Sequence, residues 1–584
     1  MNFLRASNRL KTTDPRYVLP GIRRLAVSKL KMRFPRRIPH LEVDRASLRC
    51  LADTPACPSE SDPVIAAADR FLVGGINLLG RDMQPWIEGW RSDPRTGFTW
   101  PAGGGKRSIP PGTDVKAPWE ISRFYFAPWL AGATAASGDK RYADALCELV
   151  TDWEAENPPG TGVNWQVPME ASIRAANWVI ALATLSDMDS EFDAIANAME
   201  APLNLHGAFV ARNLELGPGP PTNHSLVGAA GLALVGVALR SRQWTRLARM
   251  TLEEQARRQV KADGSHVEGS ISYHRFCMEA LAIAAWAFRI SGDASEALEE
   301  AVTKMLDFTS AYTRPDGTAP ELGDADDGRF VVPSGMFAHE KIRHEYLRWL
   351  VPPEPYDIKE PAPCEVFDAY AFLRNRRDWI SFRCGRFGKY GGHVHADQLH
   401  VTWSRGERNV LLDPGTGDYT GNPDLRNRLR SASSHNAPIL DGAEPNRWDA
   451  GDLFYMSDNT KAELLSRGDD HVQGRHSGYA GRAVTREVRL TNGLRIDDSI
   501  DGNGEHALNW TFVLGGQWKL EGGRATGALG GAQFEIILPE GCEGGLEPIE
   551  ISTAYGELCD ATALQVAWKG NLPARFGFRF AAAD

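Results

Sequence analysis

The feature that most constrains this chain is a switch in the spacing of its apolar residues. From about Pro63 to about Leu350 they recur at helical intervals, as in DPVIAAADRFL, KRYADALCELVTDWEAE, MEASIRAANWVIALATL and NHSLVGAAGLALVGVAL, with Gly, Pro, Asn or Asp between runs. Then comes VPPEPYDIKEPAPC, whose prolines Pro352, Pro353, Pro355, Pro361 and Pro363 continue neither a helix nor a central strand. Past it the period is two: AYAFLRN, DWISFRCGRF, QLHVTWSRGERNVLLD, ALNWTFVLG and ARFGFRFAA alternate, and Asn492-Gly493 marks a type I′ hairpin. The pattern predicts an α+β multidomain chain, with helical hairpins over 63–355 and an antiparallel β domain of two packed sheets over 356–584.

A length of 584 residues fits two large domains. The longest apolar run, Leu226 to Leu239, has 14 residues, which is short for a bilayer span and suits a buried helix. The opening MNFLRASNRLKTTDPRY is polar from its fifth residue. Without a signal-peptide core the expected setting is cytoplasmic, the periplasm requiring an atypical start or export route. Eight cysteines without a CxxC pair suit reduced thiols. The net charge is −10, yet residues 1–40 carry eleven Lys or Arg against Asp14 alone. A basic arm over 1–62 is therefore expected ahead of an acidic body, either solvated or touching anionic lipid or an acidic polymer. The acidic body argues against nucleic acid as a partner. A homodimer is compatible with all of this.

Polar clusters interrupt the helical pattern at Trp119-Glu120-Ile121-Ser122-Arg123, at Asn164-Trp165 with Glu170 and Arg174, at Thr222-Asn223-His224-Ser225, and from Gly264 to His274. Glu170 and Arg174 are four apart and should pair on one helix face. Asn223 is a natural N-cap, and a helix start also offers free N–H groups and positive dipole to a carboxylate. Tyr273 precedes the apolar helix containing Met278 to Phe288, where a buried tyrosine needs a hydrogen-bond partner.

In the β region GGHVHADQ places His393 and His395 on one face of an extended segment. LLDPG brings Asp413 to the end of a hydrophobic strand, and RSASSHN brings His435. Imidazole, carboxylate and imidazole from three elements form a divalent-metal set, and its N/O character suits zinc over calcium.

The order of motifs, WExSR, NW…E…R, NH, DGSxxEGSxxYH, HxHADQ, LLDPG and RSxxxHN, resembles that of the heparinase II/III family of polysaccharide lyases, which includes related alginate lyases. The likeness covers nearly the whole chain after about residue 65. It implies an incomplete (α/α) toroid followed by an antiparallel β-sandwich. It also implies Tyr273 as general acid and in some members base, His393 as the catalytic histidine, and Asn223 or His224 as the group that neutralises the substrate carboxylate. One structural zinc would sit on His395, Asp413 and His435. Substrate contacts are expected from Glu120, Arg123, Asn164, Trp165, Glu170, Arg174 and His274, by carboxylate pairing and ring stacking.

Such a lyase removes the C5 proton of a uronic acid and expels the C4 oxygen. Neutralising the carboxylate contributes about 3 kcal/mol per donor, and each proton transfer about 10²–10⁴ in rate. Tyr273 acting alone suits syn elimination; His393 across the sugar from Tyr273 suits anti. An ion on His395 would orient His393 indirectly. Two rivals remain at this level: a glycoside hydrolase on a similar toroid with Glu120 and Glu170 as its carboxylate pair, and a glycan-binding or exopolysaccharide-assembly protein without turnover. The expected partner is an acidic glycan, heparan-sulfate-like, alginate-like or a uronate-bearing bacterial exopolysaccharide.

Overall fold

The computed structural model describes residues 34–583 apart from 36, 54–60, 104–107, 218, 333–343, 349, 352–355, 357–358 and 388–390. Most of the expected basic arm lies outside the described residues, as do Pro352, Pro353 and Pro355. In the described part of that stretch residues 37–40 are exposed, and the chain is tied down further on. Asp44 caps α1 (Arg45–Ala52) by accepting from Ser47 N, and Leu48 and Leu51 are buried against the helical region.

The helices that follow are α2 (Ser61–Gly74), α3 (Pro85–Glu88), α4 (Lys116–Ile121), α5 (Ala127–Ser137), α6 (Lys140–Glu156), α7 (Pro168–Thr184), α8 (Ser190–Asn213), α9 (Asn223–Ala238), α10 (Arg242–Gln259), α11 (Ile271–Ile290) and α12 (Glu296–Tyr312). Alternate helices α5, α7, α9 and α11 pack on one another as an inner layer, and α6, α8, α10 and α12 lie outside them. The sequence encodes that division. Every residue of α9 from Ser225 to Ala238 is buried, as an all-round apolar helix requires. Outer α10 buries only a stripe through Trp244, Ala248, Leu252, Ala256 and Gln259. Gly231 of α9 permits the tight inner packing, since a Cβ there would lie 2.1 Å from Ser172 Oγ of α7. Two short ribbons, β1 (Ile76–Leu78) with β2 (Arg81–Met83) and β3 (Ser92–Asp93) with β4 (Phe98–Thr99), interrupt the helices. Strands of two or three residues leave no alternation to read.

The second region contains β5 (Cys364–Val366), β6 (Tyr370–Arg374), β7 (Asp378–Arg383), β8 (Val401–Arg405), β9 (Arg408–Leu411), β10 (Pro438–Leu440), β11 (Glu463–Arg467), β12 (His471–Tyr479) and β13 (Arg482–Thr491). It continues with β14 (Gly493–Leu514), β15 (Gln517–Glu521), β16 (Arg524–Leu529), β17 (Ala532–Ile537), β18 (Glu543–Ala554) and β19 (Glu557–Ala583). All their pairings are antiparallel, and the Asn492-Gly493 hairpin joins β13 to β14. The long strands β14 and β19 pair from Leu494 with Phe580 to Leu514 with Thr562, with a register break between Ile500 and Gly504. Such a break bends a strand. The half of β14 before it pairs with β13, and the half after it meets β9 and β10. Trp510 and Phe512 then pack on Phe576, Phe578 and Phe580 in the sandwich core.

A separate apolar cluster joins the two regions. Ile271 of α11 and Phe308 and Tyr312 of α12 pack against Phe367, Tyr370, Phe372 and Trp379 of the sheet. Tyr370 Oη also donates to Gly269 O at 2.7 Å, which anchors the start of α11 on the sheet. Among the described residues no helix is long and apolar enough to cross a membrane, and every described cysteine is free.

Candidate active site

At the seam, the first turn of α11 meets the loop between β7 and β8. Ser270 caps α11 by accepting from Tyr273 N at 3.1 Å, so Tyr273 lies inside the first turn and not ahead of the helix. The GGHVHADQ segment is irregular, not a strand. Its two imidazoles nevertheless reach the same side, because both bind one carboxylate, Asp324. The Tyr273 and His393 rings lie face to face, with centroids 3.7 Å apart and planes 17° from parallel. No sugar fits between them, so in this arrangement His393 is beside Tyr273 and not across a substrate from it.

Two carboxylates that the sequence reading missed hold these rings. Asp324 Oδ2 accepts from His393 Nδ1 at 2.9 Å, Oδ1 accepts from His395 Nε2 at 3.0 Å, and Arg426 Nη2 donates at 2.8 Å. Burial opposes ionisation of Asp324, but Arg426 and the two imidazoles outweigh it and hold the carboxyl well below the usual range. His393 therefore carries its proton on Nδ1 and presents Nε2 as the basic nitrogen. Asp326 Oδ2 accepts from Tyr273 Oη at 2.7 Å and from Lys116 Nζ at 2.8 Å. Burial first, and Asp326 next, push the Tyr273 phenol well above its ordinary pKa, so it enters the site protonated. Tyr419 Oη lies 3.4 Å from Tyr273 Oη. The loop bearing both aspartates is pinned by Ser270 Oγ donating to Asp324 O and by Asp324 N donating to His393 O. Gly323 allows that approach, since a Cβ would fall 2.6 Å from His393 O. The one signal in sequence is GDADDG, in which a single residue separates Asp324 from Asp326.

Lys116 continues the network into the toroid. It lies 3.3 Å from Glu120, and Arg123 grips Glu120 at 2.7 Å and Glu170 through two bonds of 2.7 and 2.8 Å. The expected Glu170–Arg174 pair is thus replaced by Glu170–Arg123. Burial raises the Glu120 carboxyl above its ordinary value despite Arg123, whereas Arg123 overcomes burial at Glu170 and lowers it.

Asn223 is the first residue of α9; Thr222 is the cap, without a side-chain capping bond. An internal carboxylate occupies this helix start: Glu268 accepts from Asn223 N at 3.1 Å and from its Nδ2 at 2.9 Å. The amide's unpartnered atom is Oδ1, an acceptor. Its neighbour His224 has a side chain 36% exposed, and its Nδ1 lies 3.1 Å from Glu215. Burial alone would lower the His224 pKa, but Glu215 outweighs it and pushes it up to about 9, so His224 is a cation at neutral pH.

Four expected substrate contacts lie elsewhere. Arg174 is fully buried over Trp153 at 3.9 Å and donates to His206 Nε2 and Ser122 O. Desolvation lowers its pKa to about 9. Asn164 donates to Trp90 O and Asn157, and Trp165 donates to Asn157 O while packing edge-on to Phe34 and Phe209. His274 sits 3.1 Å from Thr309 Oγ1 and edge-on to Phe308, its pKa pushed down by burial to about 3. These polar groups interrupt the helical pattern because they tie inner helices to outer ones and to connecting segments, with no surface left for a sugar.

His395, Asp413 and His435 do converge, with one potential ligand atom of each within 4.8 Å of the others. Asn436 positions them by donating from Nδ2 to Val401 O and Leu412 O and from its backbone N to His400 Nδ1. His400 Nε2 then faces Asp413 Oδ2 at 3.0 Å. His435 Nδ1 faces the same oxygen at 3.4 Å, while His395 Nδ1 and His435 Nε2 are buried without a hydrogen-bond partner. A divalent ion would satisfy such a set, so these residues fit a metal site.

A helical toroid joined to an antiparallel sandwich, with a tyrosine, a histidine and carboxylates at the seam, has the layout of a polysaccharide lyase, a carbon–oxygen lyase. Two family models match: Heparinase II/III N-terminus over residues 90–337 and Heparinase II/III-like, C-terminal, over residues 369–569. The chain belongs to the heparinase II/III family. Among solved structures it is similar to a heparinase III, with 16% identity over 99% of this chain and 91% of that one and a TM-score of 0.65. A heparan sulfate lyase from Pedobacter heparinus aligns at 16% identity over 92% and 88% of the two chains, TM-score 0.58. A chondroitin AC lyase from Streptomyces coelicolor A3, solved with chondroitin sulphate, aligns at 12% identity over 92% and 83%, TM-score 0.58. At such identities the likeness is one of fold. No curated protein matches the chain.

Proposed function

We propose that this lyase cleaves a uronic-acid-containing glycan by β-elimination, with His393 as base and Tyr273 as acid. The observation that carries the reading is the stacked Tyr273–His393 pair, each ring backed by its own carboxylate. His393 Nε2 takes the C5 proton, the C5–H electron pair becomes the C4=C5 double bond, the C4–O4 bond breaks, and Tyr273 Oη gives its proton to O4. His224, cationic beside Glu215, is the group suited to the substrate carboxylate. Asn223 can join it only by releasing its amide donors from Glu268.

Base and acid reach the sugar from the same side, which favours syn elimination. Glucuronate and mannuronate present H5 and O4 on one ring face, and their C5 epimers iduronate and guluronate do not. A panel of these four polyuronate types, followed through the ultraviolet absorbance of the unsaturated product, tests the reading. Faster turnover of the two syn substrates supports it, and cleavage without an absorbing product would support a hydrolase instead. Glu120 and Glu170 have the divergent acidities a hydrolase uses, but Arg123 holds both.

The group expected at His395, Asp413 and His435 is zinc, in a structural role. Bound there, it would supply fixed orientation to these three side chains. His395, whose Nε2 is occupied by Asp324, would offer Nδ1.

A further inference from the structure

The buried carboxylate of Asp324 touches both centres of the seam. It accepts from His393 Nδ1 at 2.9 Å on one oxygen and from His395 Nε2 at 3.0 Å on the other, with Arg426 closing the group at 2.8 Å. Its side chain has no exposed surface. We propose that Asp324 is a positioning residue that couples the metal centre to the base: it fixes which nitrogen of His395 faces the ion and which nitrogen of His393 faces the sugar. The inference rests on His393 acting as the base.

The geometry gives the coupling its direction. A carboxylate accepting from both rings forces His395 to present Nδ1 toward Asp413 and His435, where that nitrogen lies buried and unpartnered. It forces His393 to present Nε2 on its freer edge, the side chain being 14% exposed. Carboxylates behind metal-ligating histidines fix tautomer and orientation in this way, and a carboxylate behind a catalytic imidazole does the same for a base. Here one side chain serves both, so a ring that moves to meet an ion shifts the carboxylate that holds its neighbour. Asp326, two residues along the same loop, contacts Tyr273 and Lys116. It provides the internal control.

The test compares D324N, D326N and H393A in the full-length protein, reading zinc affinity by competition with a chromogenic chelator alongside kcat and KM. D324N should bind zinc roughly 10- to 100-fold more weakly and lose about 10²-fold in kcat, with KM changed less than about threefold. D326N should lose kcat through Tyr273 while keeping wild-type zinc affinity. Wild-type zinc affinity and kcat in D324N would overturn the inference, as would an equal loss of zinc affinity in D326N. Turnover by H393A at the wild-type rate would instead remove His393 as base, while the zinc affinity of D324N still tests the link to His395. If D324N does not fold, the wild-type protein labelled with ¹⁵N-histidine decides. The His393 ring signals, identified by their loss in H393Q, should shift when zinc is added to the chelated protein, and an unchanged signal overturns the coupling.

Discussion

The Tyr273–His393 pair and the His395–Asp413–His435 cluster are neighbours that share Asp324, yet they treat their polar atoms differently. At the pair, Asp326 accepts a hydrogen bond from the phenol and Asp324 accepts one from Nδ1, so both rings are partnered within the protein itself. In the cluster, His395 Nδ1 and His435 Nε2 are buried without a partner. Each such atom costs about 1–3 kcal/mol if left unpaired. A folded protein tolerates that where an outside ligand completes the set. On the proposed reading, the pair moves protons and the cluster would hold an ion.

The sharpest way to break this contrast is at the phenol. Tyr273→Phe should lower kcat by roughly 10²–10⁴ with metal content and thermal midpoint close to wild type; a fully active variant would dismiss Tyr273 as the acid. Next in size is a polar group outside both centres. Arg174→Ala should cost about 3 kcal/mol in denaturant unfolding, because His206 and Ser122 O lose a buried donor. Its kcat per folded molecule should be that of wild type, and a selective rise in KM would restore Arg174 as a substrate contact. At the cluster, His435→Ala removes a ligand itself, so it should weaken zinc binding more than D324N does and make the thermal midpoint insensitive to chelator. An unchanged zinc stoichiometry would dissolve the distinction between the two centres.

The smallest expected effect is a pH dependence at His224. Its pKa is raised to about 9, so its positive charge is present through neutral pH and lost as pH rises past that value. KM should then rise about two- to fivefold above pH 9, the scale of one exposed charge pair, and His224→Gln should show the higher KM at all pH values. The same sign holds for stability. The pairing with Glu215 contributes fully below the ordinary histidine pKa and fades as pH climbs through about 9. A flat KM across this range would leave the substrate carboxylate without its expected partner.

Much of the architecture was legible before any coordinates. The runs that read as helices are helices, the buried run from Leu226 lies in an inner helix, and the alternating runs are strands of one antiparallel domain. Of the expected site residues, Tyr273 and His393 meet, and His395, Asp413 and His435 converge. Polar groups in a good core pattern, such as Arg174, Asn164, Trp165 and His274, invite a functional reading from sequence. They instead bond across helix contacts, which the pattern of one helix cannot reveal. Nothing in GDADDG alone distinguishes Asp324 and Asp326 from the acidic residues of a surface turn.

The sequence by itself determined the two periods, the layers they imply and the motif residues that carry chemistry, because those depend on spacings of two to four residues along one chain segment. The tertiary structure alone decided which group partners which. Asp324 finds His393 at a separation of 69 residues and Arg426 at 102, and Glu268 takes the helix start at Asn223 from 45 residues away. Hydrogen bonds are short-ranged and directional, so their partners are fixed only when packed elements bring distant stretches within about 3 Å.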